Sequence, residues 1–286
     1  MSKYVGKLVM TKSAKLIYQP DLKSQVKSIK EDGYTYFPSV LDKNQVAELK
    51  SAMDQLKADE ESFSRHTTPN NLLVGKKSNK NQPSFFEKSV NNAFNHDPLF
   101  IEYLDRAEII DLEEALHGKD YHIIGMTAWI TGPGRPDQSL PCDWLPIGLP
   151  EDVLQDARID MPVFITTTHY YLNDLYEELG PTKFIPGSHK SGRMPNSDIS
   201  WNGIGEQSLM CKAGDAVTFR CEVWHRGTKN VSHETRYLLQ VHYAHRMISQ
   251  KFPPYLNRFQ FNPEIVSKCS PRQLRLLGDH VSSNYD

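Results

Sequence analysis

Apolar and polar residues alternate through Asp215-Ala216-Val217-Thr218-Phe219-Arg220 and again through Arg236-Tyr237-Leu238-Leu239-Gln240-Val241-His242-Tyr243. A period of two is that of a strand with one wet face, so both segments are predicted as strands. The polar link between them holds Gly227, Asn230 and Ser232, and the pair reads as neighbouring antiparallel strands. Further β-rich runs are Tyr34–Phe37, Tyr121–Ile130, Val163–Leu172 and the short Lys183–Ile185. Helical spacing appears elsewhere. Leu22, Val26 and Ile29 share a face behind Asp21, a suitable N-cap, and Gly33 stops that helix. Val46, Leu49, Met53 and Leu56 mark a second helix, and Leu104, Ile109, Ile110, Leu112 and Leu116 mark a third over 99–117. A short helix over 270–277 has Pro271 at its start and Gly278 after it.

The segments between these elements are polar. Residues 57–98 carry the run Lys76 to Gln82 and read as a solvated loop. Gly132-Pro133-Gly134-Arg135-Pro136 is strong turn chemistry, 144–162 is an excursion between strands, and 196–207 is a loop holding Trp201. Internal repeats and Gly/Ser-rich linkers are absent, so one domain is expected over 1–286. It would comprise helical support over 21–118, a β core over 119–250 and a tail over 251–286.

Composition narrows the function classes. A hydrophobic share of 38% is ordinary for a globular protein, and a net charge of -2 offers no field for nucleic acid or an anionic membrane. Cys142, Cys211, Cys221 and Cys269 form no C-x-x-C pair and are too sparse for a disulfide framework, which fits free thiols in a reducing compartment. The N-terminal residues lack the apolar core of a secretion signal, and no segment is long enough to span a bilayer, so a cytoplasmic protein is expected. An amphipathic organelle-targeting arm stays open.

His225 follows the first strand and Arg236 opens the second, eleven residues on. One neutral imidazole and one fixed guanidinium facing the same cavity would suit a metal-bound dicarboxylate, because imidazole binds iron while guanidinium takes a carboxylate as a two-pronged pair. The surrounding motifs extend this. Gly180-Pro181-Thr182, Phe184-Ile185, Pro186-Gly187-Ser188-His189, Gly214-Asp215, His225 and Arg236 stand in the order and spacing of the phytanoyl-CoA dioxygenase family, which this chain resembles over about residues 25–250. The resemblance implies a double-stranded β-helix, a jelly-roll or cupin-like barrel that is mainly β with helices packed on one sheet. It also implies an oxidoreductase using iron(II), 2-oxoglutarate and O2 on a small organic substrate. By the same resemblance Asp143 and His225 would ligate iron, Arg236 would clamp the distal carboxylate of the co-substrate, and Gln138 would hydrogen-bond it. Thr127 and His169 would line the co-substrate's pocket, with Trp129, Trp144 and Trp201 near the substrate. His189, the most motif-like histidine, reads as a structural residue of its turn.

One departure matters. Where the family places the first ligand of its His-x-Asp motif, this chain has Pro141, two residues before Asp143. Proline has no donor, so iron would keep only Asp143 and His225 unless Cys142 or His169 moves in. Two readings follow. The chain is an oxygenase with an atypical metal shell, or a non-catalytic relative acting as a binding module or as partner subunit to an active paralogue. Retention of Gln138, Asp143, His225 and Arg236 favours the oxygenase. The substrate and the assembly state, homodimer or heterodimer with a paralogue, are not written in the sequence.

Overall fold

Apolar faces at the predicted spacings become packed elements in the computed structural model, which describes residues 16–56, 72–74, 86–138, 140, 143, 145, 148–156, 158–252 and 259–281. Helix α1 (Leu22–Glu31) is capped by Asp21, whose side chain accepts from the Ser24 amide at 2.9 Å. It ends at Gly33, which holds a φ of 88°, and strand β1 (Tyr34–Phe37) follows. Helix α2 (Lys43–Gln55) opens with a capping box between Asp42 and Gln45 and buries Val46, Leu49 and Met53, with Leu56 just beyond its end. Each such side chain contributes roughly 1.5–3 kcal/mol when fully buried.

Part of 57–98, expected as loop, is strand. β2 (Leu72–Val74) and β3 (Phe86–Asn91) extend the sheet, β3 pairing along β4 (His122–Thr131). A polar strand of this kind escapes a hydrophobic pattern because one of its faces lines a wet cavity. Residues 57–71 and 75–85 of that insertion, including Lys76 to Gln82, lie outside the described residues, and Ala93–Asn95 form a 3-10 turn. The third helix is also shorter than its periodicity suggested. Residues Pro98–Tyr103 form a 3-10 segment, and α3 spans Ala107–His117.

The chain continues through α4 (Glu151–Leu154), β5 (Ile165–Tyr171), β6 (Thr182–Phe184), β7 (Ser200–Trp201), β8 (Ile204–Gly205), β9 (Gln207–Ser208), β10 (Ala216–Arg220), β11 (His225–Gly227), β12 (Arg236–Ala244), α5 (Pro263–Val266) and α6 (Pro271–Leu276). Seven strands form one sheet in the order β1-β10-β5-β12-β4-β3-β2, three form another in the order β11-β6-β9, and β7 with β8 makes a separate hairpin. All these pairings are antiparallel. The two larger sheets make the jelly-roll sandwich expected from the sequence.

β10 and β12 are therefore not neighbours, contrary to the reading of one hairpin. β5, buried at every position, lies between them. The link is no simple turn either, because Cys221 to Trp224 carry the chain across to the second sheet, where His225 begins β11 and pairs with Phe184. Alternation then sorts the large sheet. Thr166, Thr168 and Tyr170 of β5 face outward with Leu239, Val241 and Tyr243 of β12, and Tyr170, Leu239, Val241 and Tyr243 join the core that also takes in α1, α2 and α3. Thr167, His169, Arg236, Leu238, Gln240 and His242 face inward. Tyr171, Val217 and Phe219 meet Phe184, Leu209 and Val223 between the sheets.

The motif residues brace this arrangement. Gly180 has φ 82°, and a β-carbon there would meet the carbonyls of Thr228 and Lys229 at 2.5 Å. Ser188 Oγ accepts from the Trp224 amide at 2.8 Å, and His189 Nε2 pairs with the Lys30 carbonyl at 3.0 Å, which bears out a structural role for that histidine. Among the described residues no helix is long and apolar enough to cross a membrane, and Cys211, Cys221 and Cys269 are free thiols.

Candidate functional site

A cavity of about 460 Å³ opens between the sheets, within the size range of small-molecule sites. Its wall includes Thr127, Trp129, Gln138, Asp143, His169, His225 and Arg236, so seven residues singled out from widely spaced segments meet in one place. Trp144, Pro141 and Cys142 lie outside the described residues. Trp201 is not part of the cavity wall: it packs with Ile185 and Trp224 in a separate apolar cluster, because its hairpin folds over the 3-10 turn at Ser188–Ser191 rather than over the mouth.

The loop after β4 is laid along β11 by backbone bonds. Gln138 donates to the Gly227 carbonyl at 3.1 Å and Asp143 to the Cys221 carbonyl at 3.0 Å. Gln138 Oε1 in turn accepts from the Gly227 amide at 3.0 Å. This zipping brings the Asp143 carboxylate to 3.5 Å from His225 Nε2. The imidazole is fixed from behind, since Nδ1 lies 2.9 Å from the Val223 carbonyl and must donate to it, which turns Nε2 toward Asp143: Nε2 donates to that carboxylate when protonated and offers a lone pair to a metal once the proton is displaced. Phe184 stacks on the ring at 5.5 Å and Phe219 meets it edge-on at 4.8 Å.

Electrostatics follow from that geometry. Burial alone would raise the Asp143 carboxyl, but His225, with His242 and His169 behind it, outweighs burial and holds the group well below the usual carboxylate range. Its side chain keeps 31% of its surface open, and the cavity it lines accounts for that opening. Burial lowers the basicity of His225, yet its charge pairing and hydrogen bond with Asp143 leave it above the ordinary value. Burial pushes His169 well down and His242 to about 3.

Two wall histidines differ in their bonding. His169 Nε2 accepts from Gln240 Nε2 at 3.2 Å while its Nδ1 lies 3.4 Å from the Tyr171 hydroxyl, so both nitrogens are engaged. Gln240 also accepts from Trp129 Nε1 at 2.9 Å, completing a chain across the wall. Among the described residues His242 uses only Nδ1, at 2.9 Å from Thr167 Oγ1. With Asp143 and Cys221 it forms a group whose donor atoms all lie within 4.8 Å of one another. Sequence reading missed His242, Cys221 and Gln240. The alternation of β12 carried the signal, because Arg236, Leu238, Gln240 and His242 share a face.

Arg236 stands apart. It is 9% exposed, and its Nη1 is buried with no hydrogen-bond partner among the described residues. Burial lowers its basicity to about 10, and Arg135 nearby adds to that effect. Arg135 itself is answered by Glu87 at 3.2 Å. An uncompensated guanidinium in a closed wall asks for an anion with paired oxygens. The donors present, a carboxylate and an imidazole beside it, suit a divalent iron, and the arginine suits the far carboxylate of a chelated keto acid.

Comparison with known proteins agrees. The family model described as phytanoyl-CoA dioxygenase (PhyH) matches residues 29–237. Similar solved structures include the epimerase SnoN in complex with Fe3+, alpha ketoglutarate and nogalamycin RO, at 18% identity and TM-score 0.59 over 82% of this chain and 88% of that one. The carbocyclase SnoK from nogalamycin biosynthesis has 18% identity and TM-score 0.57 over 84% and 91%. EctD from S. alaskensis with bound Fe has 17% identity and TM-score 0.60 over 86% of each chain. At such identities the likeness establishes the fold. No curated protein matches the sequence.

Proposed function

The chain belongs to the phytanoyl-CoA dioxygenase family, oxidoreductases that work with iron(II), 2-oxoglutarate and O2, and on that premise we propose a role for each cavity residue. Asp143 and His225 hold the iron, Arg236 clamps the distal carboxylate of 2-oxoglutarate, and Gln138 and Thr127 border the co-substrate. A small organic substrate is oxidised in the remaining space. Iron, co-substrate and oxygen together supply the oxidising power. The observation that carries the reading is the buried, unpartnered Nη1 of Arg236 in the same cavity as the Asp143–His225 pair.

The protein's share is placement. The Val223 carbonyl keeps His225 in the tautomer whose Nε2 is a ligand, and the aromatic contacts stop the ring from turning. Arg236 offers a fixed fork that would hold the far carboxylate of the keto acid in one orientation. Trp129, Gln240 and His169 are tied to one another and form a wall that a substrate meets without rearrangement. His169 is pocket lining in this reading, not the missing ligand, because both ring nitrogens are already bonded. The net charge of -2 and the unpaired thiols support a cytoplasmic enzyme without a nucleic-acid partner.

The test is anaerobic addition of iron(II) and 2-oxoglutarate to the purified chain. A weak visible charge-transfer band and succinate release on aeration are expected. Absence of both signals at millimolar iron would overturn the oxygenase reading. Binding of 2-oxoglutarate without either signal would point instead to the non-catalytic binding module that Pro141 suggests.

A further inference from the structure

Resting on the iron reading above, we infer that His242 supplies the second imidazole of the metal site, in place of a histidine at position 141. The argument begins with hydrogen-bond accounting. His225 and His242 each commit Nδ1, to the Val223 carbonyl and to Thr167 Oγ1. Beyond its contact with Asp143, His225 leaves Nε2 for a metal, and Nε2 of His242 has no partner among the described residues. His169 has no nitrogen left.

Position gives the second line of support. Asp143 reaches both rings: it is 3.5 Å from His225 Nε2 and shares the group with His242 whose donors lie within 4.8 Å. Donors around one ion stand roughly 3 Å apart when each bond is about 2 Å; the group within 4.8 Å does not include His225, so the two imidazoles must be drawn together around Asp143 to complete the set. The backbone is also irregular at this point. The β4–β12 register slips between His242 and Tyr243, and a bulge of this kind re-aims a side chain beside a site. The residue facing His242 across the ladder is Gly125, where a β-carbon would stand 4.0 Å from the His242 ring and 3.5 Å from Lys251. Cys221, the third member of the group, shares the Thr167 hydroxyl at 3.3 Å and is a softer donor than iron(II) favours beside imidazole and carboxylate. The result is a two-histidine, one-carboxylate set drawn from β11, β12 and the loop before α4.

Cobalt(II) titration of the metal-free full chain, read by its visible bands, tests this. Loss of a ligand should weaken binding by at least about a hundredfold, since even outer partners of a ligand cost roughly ten- to a hundredfold. His242→Gln, Asp143→Asn and His225→Gln should all show that loss, while His169→Gln and Cys221→Ala keep parent affinity. Parent affinity in His242→Gln, with loss in the other two, overturns the inference and leaves the iron reading intact. Loss in Cys221→Ala with none in His242→Gln hands the position to the thiol and overturns it equally. Parent affinity in all three ligand variants overturns the iron reading itself. The unaltered protein gives an independent check: cobalt-loaded, it should show two strongly shifted, exchangeable imidazole N–H proton signals, from Nδ1 of His225 and of His242. A single signal overturns the assignment.

Discussion

Replacing Arg236 by Met separates the stability of the cavity from its affinity, because the two should move in opposite directions. Methionine keeps the length of the aliphatic stem and removes the charge. In the folded chain burial lowers the guanidinium to about 10, with Arg135 adding to it. A base whose folded value lies below its unfolded one destabilises the fold at every pH beneath both, so at neutral pH this shift opposes folding. At about 1.4 kcal/mol per unit the penalty is roughly 3 kcal/mol. Arg236→Met should therefore melt higher than the parent without ligand, by about 6 °C at roughly 2 °C per kcal/mol. Binding goes the other way. Hydrogen bonds to charged groups contribute roughly 1.5–3 kcal/mol, and removing one partner of a buried charge pair costs about 2–5 kcal/mol, so 2-oxoglutarate affinity should drop on the order of a hundredfold. Thermal melts with and without 2-oxoglutarate, using manganese(II) as a redox-inert stand-in for iron, read both effects, and calorimetry gives the affinity. A variant that melts lower than the parent and still binds 2-oxoglutarate normally would refute the argument.

Three further outcomes are expected. Burial lowers His189 to about 3 and His122 to about 4, so both stay neutral in the fold while the unfolded chain takes up protons below about 6.5. Stability is then complete above that pH and falls toward pH 4; in urea melts His189→Gln should shrink the difference between pH 7.5 and pH 5 by about 2 kcal/mol, and an unchanged difference would refute the assignment. Gly180→Ala must place a side chain at φ 82° against the Thr228 and Lys229 carbonyls, and should cost about 2 kcal/mol or more in the same melts; a neutral result would show that this turn relaxes freely. Gln240→Leu strands Trp129 Nε1 and His169 Nε2 and should lower stability by roughly 1–3 kcal/mol, with altered tryptophan fluorescence as the local signal.

Much of the fold was legible where burial imposes a period. Asp21 caps its helix as its position suggested, and β5 and β12 run where alternation and β-branched residues placed them. What escaped was long-range pairing. The period of two in 215–220 and 236–243 says that each segment is a strand, but nothing local says that β5 inserts between them or that His225 crosses to the other sheet. The polar strand β3 was hidden because its inward residues Glu87 and Asn91 face the cavity. Asp143, His225 and Arg236, singled out through spaced motifs, come together on one cavity wall. Trp201 was misplaced because a tryptophan in a polar loop serves equally as a lid or as packing, and only its contacts with Ile185 and Trp224 decide. His242 was overlooked since it belongs to no motif, and its nearness to Asp143 exists only after the chain folds.

His225 stands on the three-stranded layer, whereas Arg236 and His242 stand on the seven-stranded one. Whatever occupies the space between them is gripped from both halves at once, so occupancy and the closeness of the halves form a single equilibrium. A loaded site then works as a rivet through the sandwich: amide exchange along β6, β9 and β11 slows when it is filled, while β1 at the far edge of the large sheet is indifferent.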